Sequence, residues 1–123
     1  MSEPAEKFRG LTRAVSAGLS SLRTSTPDVM KSFGELGRVA TSEGKLDAKT
    51  KELIALALGV AARCDPCIGF HAQALVKLGA TRQEIDETLG VTTYMGGGPS
   101  LMYAANAIAA FDEFLRASAA RNV

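Results

Sequence analysis

The chain has 123 residues, 46% of them apolar and 22% charged, which suits one folded domain and excludes disorder as a description of most of it. Fourteen basic and thirteen acidic residues leave a net charge of +1, with no dominant Lys/Arg cluster and no Trp, so neither nucleic acid nor an anionic membrane is expected as partner. The first ten residues hold no apolar run and two glutamates, so no secretory or transit peptide is expected and a cytoplasmic location is.

Helix signals dominate in chain order. Residues 4 to about 23 place Phe8, Leu11, Val15, Leu19 and Leu22 at spacings of three and four, the period of one helical face. Thr26 is a candidate N-cap with Pro27 at the first helical position, and this second helix runs to about Ala40. After a turn at 41–44, Asp47 caps a helix over 48–63. Its uninterrupted apolar run, Leu53 to Ala62, is too short to span a bilayer and predicts burial on most sides, with Gly59 a weak point or a close-packing position.

Asp65 then reads as an N-cap and Pro66 as the first position of a helix over 66–78, ended by Gly79. Thr81 with Glu84 makes a capping box for the next helix, and Gly96, Gly97, Gly98 and Pro99 break it before a last helix to about Ala119. The glycine run lacks the following Lys-Ser/Thr of a phosphate loop and no strand precedes it, so it reads as a helix break. The fold class is therefore all-α, a single helical domain over 1–123. The apolar faces of 53–62 and 101–111 exceed what a small core needs and predict a subunit interface.

Both cysteines and the only histidine fall within Cys64-Asp65-Pro66-Cys67-Ile68-Gly69-Phe70-His71. On a helix beginning near Asp65, Cys67 and His71 stand at i and i+4 on one face, and Cys64 lies just before the start, able to fold back. A helix N-terminus favours the thiolate, an imidazole can take the thiol proton, and a second cysteine can resolve an oxidised first one. Haem attachment is excluded because Ile68, not His, follows the second cysteine, and a thioredoxin-like fold because βαβ patterning is missing. Two readings stay open on the residues alone. Cys64, Cys67 and His71 supply three zinc ligands where a structural site wants four, with Glu52 or a second copy as the fourth. Alternatively, the cysteines and the histidine are ordinary core residues. Glu52 itself reads either as a solvated first-turn glutamate or as a partly buried proton relay.

The string Glu52-Leu53-Ile54-Ala55-Leu56-Ala57, followed by Cys64, Cys67 and His71 at 12, 15 and 19 residues from Glu52, resembles the AhpD-like alkylhydroperoxidase branch of the carboxymuconolactone decarboxylase family. Leu78-Gly79-Ala80-Thr81 with Glu84 and the glycine break extend the resemblance over about residues 30–110. It implies an AhpD-like helical bundle, a homo-oligomer (trimer or hexamer) and thiol-dependent reduction of organic hydroperoxides, with no cofactor and no metal. By position, Cys67 attacks the peroxide, Cys64 resolves it as a disulfide, and His71 and Glu52 relay protons. The reductant is an external dithiol, such as a lipoyl-bearing protein. The alternatives it carries are a decarboxylase-like lyase and a general thiol-disulfide oxidoreductase.

Where some members of that branch have a histidine between the cysteines, this chain has Asp65 and Pro66, and the Asp65 charge opposes a neighbouring thiolate. Spacing alone leaves Glu52 outside the site. Twelve helical residues span about 18 Å, so a simple hairpin turning at residue 64 does not bring Glu52 to Cys67 without a crossing of the two helices or a neighbouring subunit.

Overall fold

In the computed structural model, which describes residues 6–121, seven helices and no strand are found. They are α1 (Lys7–Gly18), α2 (Ser20–Ser25), α3 (Pro27–Ala40), α4 (Ala48–Ala61), α5 (Asp65–Lys77), α6 (Arg82–Gly96) and α7 (Gly98–Arg121). The first predicted helix is thus two, broken at Leu19, and its expected start at residue 4 lies outside the described residues. No helix is long and apolar enough among these residues to cross a membrane.

Local chemistry sets most of these boundaries. The Asp47 carboxylate accepts the Thr50 N–H at 2.7 Å and so caps α4. Thr81 accepts from the Glu84 N–H while the Glu84 carboxylate accepts from the Thr81 N–H, the reciprocal box the sequence predicts for α6. Gly79, at φ +78°, ends α5 where a side chain would be strained. Two caps differ from expectation. Thr26 precedes α3 but its hydroxyl donates backwards to Leu22 O, sealing the end of α2 instead. Cys64, not Asp65, is the N-cap of α5, which places Asp65 and Pro66 one position deeper in the first turn.

The core lies where α4, α5, α6 and α7 meet, with α1 laid across α5 and α7. Phe8, Leu56, Val60, Ile68, Leu75, Ile85 and Phe111 are fully buried there. One buried carboxylate fastens α1 to this body. Glu113 of α7 accepts the Phe8 and Arg9 backbone N–H groups at 2.9 and 2.7 Å, taking two of the unsatisfied donors at the α1 N-terminus.

Burial of the 53–62 run is only one-sided. Leu56, Gly59 and Val60 are buried, but Ile54 and Leu58 are exposed, so the expectation of burial on most sides is corrected. The helix still has an uncovered apolar face. α3 goes further. It packs chiefly on α2 and has no buried residue, and Val29, Phe33, Leu36 and Val39 are 54–72% exposed along it.

Candidate functional site

The α4–α5 hairpin builds the site, and its turn is specific. Arg63 adopts φ 58°, the left-handed region. Its N–H donates to Val60 O and the Cys64 N–H to Gly59 O, both at 3.0 Å. These two bonds close α4 in a Schellman arrangement and reverse the chain directly into Cys64. A side chain in that conformation costs about 1–2 kcal/mol, which the turn must offset.

Cys64 and Cys67 are joined as a disulfide, with Cα atoms 5.2 Å apart. The Cys64 Sγ also accepts the Cys67 N–H at 3.2 Å, so this sulfur caps the helix. Negative charge developing there faces the N–H groups of the first turn. Gly59 of α4 allows the close approach of the two helices, since a Cβ at that position would lie 3.3 Å from Cys67 Cβ. Its close-packing role is the one the sequence raises, and the residue it admits is the second cysteine of the pair.

Glu52 and His71 meet within one chain. Glu52 Oε1 lies 2.7 Å from His71 Nδ1, with the Glu52 side chain 12% and the His71 side chain 32% exposed. No neighbouring subunit is needed. Glu52 pairs with His71, one turn beyond Cys67, and not with Cys67 itself, so the hairpin turning at residue 64 does bring it to α5. Glu52 stands ten residues before the α4 C-cap, about 15 Å of helix, and His71 stands seven beyond Cys64, about 10 Å. Two side chains bridge the remainder. Glu52 and Gly59 lie two turns apart on one α4 face, and that face meets His71 at one end and Cys67 at the other.

The pairing of Nδ1 fixes the ring and leaves Nε2 as the nitrogen able to exchange a proton. A carboxylate on Nδ1 also stabilises the imidazolium that forms when it does so. Asp65 accepts from Asn106 Nδ2 of α7 at 3.0 Å, which holds its carboxylate to the α7 side of the first turn. Asn106 was not legible as a site neighbour; its only signal is a polar residue amid the apolar positions of the last helix. Among the described residues, no group of three or more His, Cys, Asp or Glu is placed to hold a metal ion.

An all-helical body with a cysteine pair at a helix start and a carboxylate–imidazole pair one turn on defines a class that can be compared with known proteins. Residues 27–110 match the carboxymuconolactone decarboxylase family, and the chain belongs to it. A crystal structure of an apo carboxymuconolactone decarboxylase family protein from Legionella pneumophila is 55% identical, with a TM-score of 0.87 over 89% of this chain and 98% of that one. A Thermotoga maritima member, described as having a possible involvement in antioxidative response, is 30% identical with a TM-score of 0.73, over 95% and 97% of the two chains. An uncharacterised protein from Cupriavidus necator is 42% identical over 92 residues, 75% of this chain and 81% of that protein.

Proposed function

We propose that the protein is a thiol-dependent peroxidase of the AhpD-like branch, reducing organic hydroperoxides through Cys67 and Cys64. The observation that carries this reading is the Glu52–His71 pair on the same hairpin as the joined cysteines. The antioxidative description of the Thermotoga maritima relative supports it.

Cys67 shares its helix face with His71, so the imidazole takes the thiol proton and Glu52 steadies the resulting charge. The thiolate attacks the terminal peroxide oxygen. The O–O bond breaks, sulfur is oxidised to sulfenic acid, and the alkoxide leaves as an alcohol with the proton from His71. Cys64 then attacks the Cys67 sulfur, expelling water and forming the disulfide. An external dithiol, a lipoyl-bearing protein in this reading, reopens the bridge by exchange and is itself oxidised. Cys64 is suited to leave in that step, because the helix N–H groups stabilise its thiolate. Such a cycle belongs in a reducing compartment, the cytoplasm.

The working unit in this proposal is a homo-oligomer. The stripe Val29, Phe33, Leu36 and Val39 and the exposed apolar residues Leu58, Val91 and Met95 of the body are two uncovered surfaces of one chain. A second copy, offering each to the other, covers both.

The test is a thiol count on reduced wild type and on Cys67→Ser after one equivalent of cumene hydroperoxide. Loss of both wild-type thiols to an internal disulfide, with the variant unreactive, supports the peroxidase. Survival of both wild-type thiols refutes it and favours a lyase.

A further inference from the structure

A second feature lies on the flank of α5 that the thiol chemistry does not use. A hollow of about 410 Å³ opens between α1, α5 and α7. Arg9 and Arg13, one turn apart on α1, line one wall, and Arg121 of α7 lines another. Phe70 and Gln73 of α5 and Phe114 of α7 also line it. Gln73 sits two positions from His71, off the face that carries Cys67 and His71, and Phe70, three positions from Cys67, stands at the edge of that face.

The charge balance in this hollow is uneven. Glu6 is paired with Arg9 at 3.0 Å and lies 3.8 Å from Arg13. Arg121 has no ion pair among the described residues. Glu113, next to Phe114 on α7, does not line the hollow, its two oxygens being turned to the Phe8 and Arg9 backbone N–H groups at the α1 start. Among the described residues, three arginines and no carboxylate therefore line a space shared with two phenylalanines. Positive charge gathered on one concave surface attracts anions to it.

We propose that this hollow is a binding site for a small organic anion, an oxyanion head group on an apolar body. The Arg13 and Arg121 guanidinium forks hold the head group, since planar donors of this kind match carboxylate and phosphate oxygens in pairs. Gln73 supplies a further amide donor, and Phe70, partly exposed, takes the apolar body. Carboxylates and phosphate esters share this chemistry. The proposal goes beyond the peroxidase reading and stands or falls without it.

The experiment is calorimetric titration of the oxidised full-length protein with 4-phenylbutyrate, with phenyl phosphate, and with neutral 4-phenylbutyramide. The expected result is saturable, salt-weakened binding of at least one anion and none of the amide, the tighter anion identifying the head group. Arg13→Gln with Arg121→Gln is expected to lose at least about tenfold in affinity. Arg13→Lys with Arg121→Lys keeps charge and bulk but not the forks, and is expected to fall between, with an unchanged thermal melt. Equal binding of the amide, unaltered affinity in the lysine pair and the glutamine pair alike, or no saturation by either anion up to about 10 mM overturns the proposal.

Discussion

Glu52→Gln isolates the charge of the relay with the least change of shape. In the protein, Glu52 Oε1 lies 2.7 Å from His71 Nδ1, and the carboxylate is only 12% exposed. A hydrogen bond to a charged partner contributes about 1.5–3 kcal/mol and a neutral one about 0.5–1.5 kcal/mol. The difference, roughly 1–2 kcal/mol, is felt by the imidazolium formed when Cys67 gives up its proton, and hardly by the neutral ring. At about 1.4 kcal/mol per tenfold, thiol oxidation is expected to slow by roughly 5–30-fold. The assay is stopped-flow consumption of cumene hydroperoxide by the reduced protein, with Cys67→Ser as the zero and far-UV circular dichroism as the fold control. Glutamine retains an oxygen for Nδ1, so the ring stays oriented and His71→Ala, which loses it altogether, should be slower still. A Glu52→Gln rate within about twofold of wild type would refute the relay.

Three other outcomes follow from the packing. Glu113→Ala orphans the Phe8 and Arg9 N–H groups at a buried helix end and is expected to cost about 2–4 kcal/mol, a thermal midpoint lower by roughly 10 °C; an unchanged melt contradicts the fastening of α1. Lys49 beside Glu84, with the Thr81 N–H next, holds the Glu84 carboxyl below its ordinary value. A depressed carboxylate stabilises above its unfolded pKa and loses that contribution as pH falls through the folded one. Wild type should therefore melt above Glu84→Gln at neutral pH, and the gap should close below about pH 4; a gap independent of pH contradicts the pairing. Phe33→Asp puts a charge into the α3 stripe, where each copy would forfeit about 1.5–3 kcal/mol of burial. Light scattering should then report a smaller assembly than wild type, and equal masses contradict the role given to α3.

The sequence determined what depends on neighbours along the chain. The Thr81–Glu84 box, the Asp47 cap, the glycine stop after α5 and the i, i+4 placement of Cys67 and His71 all follow from steric and hydrogen-bonding rules acting over one helical turn. The all-helical class follows from apolar spacing for the same reason. The cap of α5 lies one residue before the expected Asp65, because a cysteine is not among the usual capping side chains and its sulfur takes the place of the Asp65 oxygen.

What only the tertiary structure decided depends on residues far apart in the chain. Glu52 meets His71 because the Arg63 turn reverses the chain and Gly59 lets α4 settle against Cys67; helix length alone argues only against a contact of Glu52 with Cys67. Glu113 reaches the start of α1 across 105 positions, and Arg9, Arg13 and Arg121 share a hollow only after α1 and α7 pack on α5. Helical periodicity says which residues share a face of one helix, but the approach and crossing of two helices depend on side chains from both, which no single segment contains.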